Sequence, residues 1–241
     1  MDTQTMESPS RNAERSQRAY ARLAGLMYLV VLGFDIAGVA ITSTIQGSGS
    51  FLDASRNIAA LEPLYRIGLL LGLAGSLATI LLAVALYVTL KPVDGNLALT
   101  ALLFRVVETA GIGNAGFGTL QIYLAANHAN AFSASQLGAL ASFASGPEGS
   151  YVSAIFFSVG STIFFYLFLK SAYIPRLMAA WGLFASPVYM LAFIGSLIAP
   201  HYSGTFLVIG SIPPLVAEVS TGLWLLIKGI SARSAFVAGK A

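Results

Sequence analysis

The sequence predicts an all-α integral membrane protein, a polytopic bundle of six transmembrane helices with both termini in the cytoplasm. Only 10% of the 241 residues are charged and 56% are hydrophobic, and the mean hydropathy is +0.78. A soluble domain carries about 25% charged residues, so this chain cannot coat a water-soluble globule of its size. Its apolar residues form repeated stretches close to the length that crosses hydrocarbon. Composition therefore excludes a water-soluble enzyme and a secreted domain.

The predicted elements begin with a polar segment. Residues 1–18 are expected to form a disordered cytoplasmic tail, 19–230 a single six-helix membrane domain, and 231–241 a second cytoplasmic tail. The first apolar run is longer than the core of a signal peptide, which spans about 7–15 residues, so we expect a retained span. The six spans are predicted at 23–45, 63–90, 97–125, 151–169, 175–199 and 205–227.

Prolines mark where two of these helices begin and where one is expected to break. Pro63 and Pro175 suit the first turn of a helix, where a missing N–H has no partner to lose. Pro213 and Pro214 lie inside the sixth span and are expected to divide it into a short outer piece and a longer inner piece.

The two longest connections carry signals for short helices. Asp53 is predicted to be the N-cap of a helix that runs through Leu61. Ser133 and Gln136 have the spacing of a capping box, which predicts a helix lying at the membrane interface.

The distribution of basic residues supports six spans and orients them. Six spans place both termini and the loops at 91–96 and 170–176 on one side, which collects ten of the 13 basic residues. By the positive-inside rule that side is cytoplasmic, and the 126–150 connection is outside. The ten are Arg11, Arg15, Arg18, Arg22, Lys91, Lys170, Arg176, Lys228, Arg233 and Lys240.

Four ionisable side chains inside predicted spans form the candidate intramembrane polar site: Asp35, Arg105, Glu108 and Glu218. At 1.5 Å rise per residue they lie about 12–20 Å above the inner surface, near the middle of a hydrocarbon core about 30 Å thick. Each would cost about 3 kcal/mol or more against lipid, so we expect them to converge inside the bundle. The alternative, a network that only fixes helix register, contributes little stability in a membrane.

Charge balance predicts a role for each member of this site. Arg105 and Glu108 share a helix face and are expected to pair. Since arginine stays charged, we expect Glu108 to be ionised and Glu218 to carry a proton. Glu62 and Arg66 are predicted to pair near the outer surface, where water screens them. The supporting polar side chains are Asn114, Ser158, Ser161, Thr162, Tyr189 and Thr221.

Motifs for cofactors, metals and nucleic acids are weak. Residues 111–116 match the dinucleotide fingerprint G-x-G-x-x-G, but they lie inside an apolar span without a preceding strand, so helix packing is the better interpretation. The same interpretation applies to Gly68 and Gly72. The chain has no cysteine, and its two histidines, His128 and His201, lie in separate loops. We therefore predict no cofactor, no metal site and no nucleic-acid partner.

Several segments resemble a bacterial membrane-protein family known as domain of unknown function 4386. They include residues 22–29, 53–68, 85–93, 97–108, 173–176 and 218–229, so the resemblance extends from Arg22 to Gly229. It implies a six-helix protein of the bacterial cytoplasmic (inner) membrane with no assigned activity. The family pattern contains the Glu62/Arg66, Arg105/Glu108 and Glu218 positions, and the chain departs from it at Met178.

Three functional hypotheses stay open at this point, and whether the protein is an enzyme stays open with them. The first is a binder of, or enzyme acting on, a lipophilic small molecule, with the midplane carboxyls and arginine as its pocket. The second is a proton-coupled transporter or exporter, which with six helices per chain would be expected to form a homodimer. The third is a sensory or accessory subunit. In each case the lipid bilayer is the predicted partner.

Overall fold

The computed structural model describes residues 9–112, 115–127, 132–144 and 148–230, and within these ranges every regular element is a helix. Helices form because apolar and small residues dominate each segment and because only a helix satisfies its own backbone groups in hydrocarbon. In chain order the helices are α1 (Pro9–Gln46), α2 (Phe51–Ala60), α3 (Glu62–Leu90), α4 (Gly95–Ile112), α5 (Ala115–Ala125), α6 (Ala134–Ala144), α7 (Glu148–Ser171), α8 (Arg176–Ile198), a 3₁₀ turn (Pro200–Tyr202) and α9 (Ser203–Ile227).

Five of the helices in the described ranges, α1, α3, α7, α8 and α9, are long and apolar enough to cross a membrane. The surfaces of these helices carry exposed large apolar side chains, such as Leu191 and Val208, which are unfavourable in water but not in hydrocarbon. The chain is therefore a multi-pass membrane protein. The predicted third span, 97–125, is represented by α4 and α5, and residues 113 and 114 between them lie outside the described residues.

The N-terminal segment differs from the prediction of a disordered tail at 1–18, because α1 begins at Pro9. The physical reason is that Gln17 hydrogen-bonds to residues far along the chain. Its side-chain amide is buried and donates hydrogen bonds to the Thr89 carbonyl at 2.7 Å and to the Tyr173 hydroxyl at 3.0 Å. These bonds, together with the buried Ala21, hold the extension of α1 against its neighbours.

The predicted break at Pro213 and Pro214 is wrong, since α9 is continuous from Ser203 to Ile227. Prolines are tolerated in membrane helices where neighbouring groups satisfy the backbone that they disturb. Here the Trp181 indole N–H on α8 donates to the Pro213 carbonyl at 3.1 Å. Gly210 lies directly against Ala192 of α8, so close that a β-carbon there would overlap it. Tight packing against α8 thus keeps α9 helical across Pro213 and Pro214.

Both short helices of the long connections are present, with one change of cap. The N-cap of α2 is Ser50 rather than Asp53, because the Ser50 hydroxyl accepts the Asp53 N–H at 3.3 Å. Asp53 completes the capping box by accepting the Ser50 N–H at 3.1 Å. The predicted box before α6 is confirmed, with the Ser133 hydroxyl accepting the Gln136 N–H and the Gln136 side chain accepting the Ser133 N–H.

The chain divides into two compact units. Unit 1 comprises Met1–Leu29, Leu81–Arg105 and Phe157–Ala241, and unit 2 comprises Val30–Ile80 and Val106–Phe156. Helices α8 and α9 belong to unit 1, helices α2, α5 and α6 to unit 2, and the other four contribute residues to both. This division does not decide whether residues 19–230 form a single membrane domain, which stays a prediction.

Each unit has its own apolar core. The core of unit 1 is aromatic and leucine-rich, with Phe164, Phe165, Phe168, Leu82 and Leu86 almost completely buried. The core of unit 2 is smaller and surrounds Ile58, Leu120 and Tyr123. It is closed by polar bonds: the Ser55 hydroxyl donates to the Tyr123 carbonyl at 2.6 Å, and the Gln46 amide donates to the Tyr123 hydroxyl at 2.6 Å.

Candidate functional site

The buried guanidinium of Arg105 is the centre of the candidate site. It lies on α4 within unit 1, and its side chain is only 3% exposed. Its Nη1 donates to the Ser161 hydroxyl at 3.4 Å, and its Cζ lies 4.7 Å from the centre of the Phe157 ring. A cation over an aromatic face is attracted by the negative face of the ring. The α7 surface therefore gives Arg105 a polar contact and an aromatic contact.

A glycine on α7 makes room for this arginine. A β-carbon at Gly160 would lie 3.1 Å from the Arg105 Cγ and 3.1 Å from the Ala101 carbonyl oxygen. Those distances are shorter than ordinary van der Waals contact, so the absence of a side chain lets α7 and α4 pack closely. Close packing of small residues is the usual way in which membrane helices associate.

Glu218 on α9 supplies the opposite charge. Its Oε1 lies 4.0 Å from the Arg105 Nη2, and its side chain is 22% exposed. At 4.0 Å the contact is an ion pair and exceeds the usual hydrogen-bond length of about 2.7–3.2 Å. The two residues are 113 positions apart in the sequence, so only the folded helices bring them together. The expected convergence of Arg105 and Glu218 is thus observed within unit 1.

The supporting polar residues take different positions. Ser158 and Ser161 are buried on α7, and the Thr162 hydroxyl donates to the Ser158 carbonyl at 2.6 Å, a bond within its own helix. The Tyr189 ring makes an edge contact with Phe157 at 5.2 Å. Asn114 lies outside the described residues.

Thr221 is the supporting residue with the most informative surroundings. It follows Glu218 by three residues, which places both on one face of α9. Its side chain is completely buried, and its hydroxyl has no hydrogen-bond partner among the described residues. A buried polar group in this state costs about 1–3 kcal/mol and usually receives a partner such as water or a ligand.

Glu108 and Asp35, the other two members of the predicted site, belong to unit 2. Glu108 is buried, and its backbone carbonyl accepts a hydrogen bond from the Ser153 hydroxyl at 2.9 Å. Its pairing with Arg105 stays a prediction. Asp35 is an exposed residue of α1, and its place in the site stays a prediction. Its Oδ1 lies against Gly75 of α3, whose lack of a β-carbon leaves space for the carboxylate.

The second predicted pair, Glu62 and Arg66, is present within one helix of unit 2. The Arg66 Nε donates to the Glu62 Oε1 at 2.8 Å, and the Nη2 lies 2.6 Å from the same oxygen. The side chains are 35% and 43% exposed, so this pair is much more accessible than Arg105.

Sequence reasoning missed the aromatic and small residues around Arg105. No functional role was predicted for Phe157 or Gly160. The spacing of Phe157, Gly160 and Ser161 on one face of α7 is a signal that could have indicated them, since an aromatic, a glycine and a hydroxyl together suit a buried guanidinium. In the described part of the chain, no group of three or more His, Asp or Glu side chains could hold a metal ion.

The fold and this site together define an all-α, multi-pass membrane protein in which a buried arginine pairs with a partly exposed glutamate between helices of one unit. The chain belongs to the family described as domain of unknown function (DUF4386), whose pattern matches residues 23–229. The family resemblance expected from the sequence is thereby confirmed. No curated protein and no solved structure matches the chain.

Proposed function

We propose that the Arg105–Glu218 pair is the polar end of a binding site for a lipophilic small molecule within the membrane. The observation that carries this proposal is the burial of Arg105, 3% exposed, beside a carboxylate at 4.0 Å. Burying a charge such as that of Arg105 costs several kcal/mol of desolvation, which an ion pair rarely repays as stability alone. Membrane proteins keep such charges where they serve a function.

The surroundings of the pair favour a ligand with one polar group and an apolar body. Phe157, with Tyr189 packed against it, provides aromatic surface on one side of the guanidinium, and Thr221 lies on the same face of α9 as Glu218. Glu218, at 22% exposure, is the accessible member of the pair. A carbonyl, hydroxyl or carboxyl group entering beside Glu218 would be held by Arg105 through charge-assisted hydrogen bonds.

The test is the set of small molecules that copurify with the full-length protein. Organic extracts of purified wild-type protein and of Glu218→Gln are compared by mass spectrometry, with Glu62→Gln as the matched control because it removes the same charge from the other pair. The proposal expects a lipophilic compound with wild type and Glu62→Gln and at least a tenfold loss with Glu218→Gln. Identical extracts from all three folded proteins contradict it.

The transport hypothesis would be favoured by a discontinuous helix beside Glu218. A helix broken at Pro213 and Pro214 beside Glu218 would have resembled the discontinuous helices of transporters, but α9 is continuous. The accessory-subunit hypothesis has no specific feature in its favour. Binding is therefore the function that the described site supports best.

The proposal also includes the topology. The chain crosses a bacterial inner membrane six times, with α4 and α5 together forming the third span, and both termini lie in the cytoplasm. Because the chain has no cysteine, single-cysteine labelling can test it cleanly. An impermeant maleimide should label Ala139→Cys on intact cells, since Ala139 is exposed on α6, and should label Ser16→Cys on α1 only after permeabilisation. Labelling of Ser16→Cys on intact cells contradicts the orientation.

A further inference from the structure

The N-terminal extension of α1 carries four arginines on one face. Arg11, Arg15, Arg18 and Arg22 are spaced four, three and four residues apart in a continuous helix, so they lie within a sector of roughly 60°. All four are exposed and, with Glu14 and Ala19, line an open groove along the surface of this one helix. The single acidic side chain lining it is Glu14, which leaves a net charge of +3 along the face.

The buried contacts of another face of α1 fix how the helix is rotated about its axis. The residues that α1 buries in unit 1 include Gln17, Ala21, Ala24 and Tyr28, which repeat with the same spacing on a face about 120° round the helix from the arginines. The two hydrogen bonds of Gln17 hold that face against Thr89 and Tyr173. The arginines are therefore directed away from Thr89 and Tyr173 and are exposed, and this face becomes packed only beyond Arg22, where Gly25 lies against α9.

The position of the arginines relative to the apolar run determines what they can reach. Counting back from Leu23, Arg22 and Arg18 lie roughly 1.5 and 7.5 Å along the axis, and Arg15 and Arg11 roughly 12 and 18 Å. The headgroup layer on each side of the hydrocarbon is about 5–8 Å thick. Arg22 and Arg18 are thus at the depth of lipid phosphates, and Arg15 and Arg11 extend beyond it.

We propose that this arginine face binds anionic lipid headgroups, with Arg18 and Arg22 as the residues that contact the phosphate. Guanidinium groups hold phosphate oxygens in pairs of parallel hydrogen bonds. Basic residues near an anionic leaflet each strengthen binding about fivefold, and the attraction decays over a Debye length of about 8 Å. The proximal arginines should therefore dominate, and the distal pair should contribute little.

This gradient separates a lipid from a soluble anion. A soluble polyanion lying along the face would contact all four arginines, so it would depend on the distal pair as much as on the proximal pair. A lipid phosphate is confined to the membrane surface and would not.

Native mass spectrometry of the full-length, detergent-purified protein provides the test, with phosphatidylglycerol as the probe and phosphatidylcholine as the zwitterionic comparison. The double variant Arg18→Gln/Arg22→Gln should weaken phosphatidylglycerol binding about 25-fold, whereas Arg11→Gln/Arg15→Gln, which removes the same charge, should weaken it less than about threefold. Arg18→Lys/Arg22→Lys retains the charge and should lose much less affinity than the glutamine variant. If the proximal glutamine variant does not fold, Arg18→Gln and Arg11→Gln repeat the comparison singly.

Three results would overturn the proposal. They are equal losses from the proximal and distal variants, equal affinity for the two lipids in wild type, or displacement of phosphatidylglycerol by inorganic phosphate alone. The last result would assign the face to a free anion.

Discussion

The two arginine–glutamate pairs of this protein have the same chemistry and very different surroundings. In unit 2, Arg66 and Glu62 are neighbours on one helix, with an Nε–Oε1 distance of 2.8 Å and side chains 43% and 35% exposed. In unit 1, Arg105 and Glu218 come from different helices, with an Nη2–Oε1 distance of 4.0 Å and an arginine only 3% exposed. The shorter contact belongs to the more exposed pair.

General ion-pair energetics predict that burial, more than distance, determines how much each of these pairs contributes to stability. Exposed pairs at i, i+4 contribute about 0.3–0.5 kcal/mol, because water screens the charges and the side chains lose freedom. Removing one member of a buried pair strands the other charge in a low dielectric and costs about 3–5 kcal/mol. The looser pair in unit 1 is therefore expected to be the more consequential one.

The largest expected effect comes from Arg105→Ala, which leaves Glu218 without the cation beside it and opens a hole against Phe157. We expect a loss of about 3–5 kcal/mol in the free energy of unfolding, which would reduce folded protein severely. The measurement is reversible unfolding in mixed micelles, with Arg66→Ala as the matched control in the exposed pair. Equal losses from the two variants would show that burial does not distinguish the pairs.

A second difference between the units appears along α1 itself. A β-carbon at Gly25, in unit 1, would overlap the backbone of α9 at Leu226 and lie 2.7 Å from the Gly222 carbonyl oxygen, whereas one at Gly33, in unit 2, would contact nothing within 4 Å. Gly25→Ala should therefore cost about 1–3 kcal/mol through overpacking. Gly33→Ala should be neutral or slightly stabilising, because alanine has fewer accessible backbone conformations than glycine in the unfolded chain and so loses less entropy on folding. Thermal stability of the two purified variants measures the contrast, and similar melting temperatures would contradict the close approach of α1 and α9.

Sequence reasoning identified the elements well because their signals are local. Apolar length placed the helices, and the Ser133–Gln136 spacing placed the start of α6. Similar depth within the spans was enough to expect Arg105 beside Glu218, since a charge in hydrocarbon has few alternatives to another charge.

The features that sequence reasoning missed depend on a partner far along the chain. The order of residues 9–18 depends on Gln17 bonding Thr89 and Tyr173, and the continuity of α9 depends on Trp181 reaching Pro213. Asp35 is exposed, and its contact with Gly75 on α3 is likewise not evident from its charge alone. None of these contacts leaves a repeated spacing that a single sequence can display.

A smaller effect is expected from Glu62→Gln in the exposed pair. The amide oxygen still accepts a hydrogen bond from Arg66, and the charge that is lost was partly screened by solvent, so the free energy of unfolding should fall by less than about 1 kcal/mol. The same unfolding assay measures it, with Arg66→Gln as the reciprocal variant. A loss as large as that of Arg105→Ala would mean that the Glu62–Arg66 pair is shielded from water in the membrane.

The smallest effect belongs to Asp53, an exposed carboxylate at the start of α2. Hydrogen bonds from the Ser50 side chain and backbone lower the pKa of Asp53 below its ordinary value of 3.8. Because the pKa is lower in the folded state, this capping box stabilises α2 at pH values above about 4 and loses its contribution as the pH falls through the folded-state pKa.

Ser50→Ala should raise the pKa of Asp53 towards 3.8 and weaken the pH dependence of α2, as measured by carboxyl NMR titration and by amide exchange of α2. Asn57→Ala, farther along the same helix, is the control. An unchanged pKa in Ser50→Ala would show that Arg56, whose Nη1 lies 3.6 Å from the Asp53 Oδ1, holds the carboxylate ionised instead.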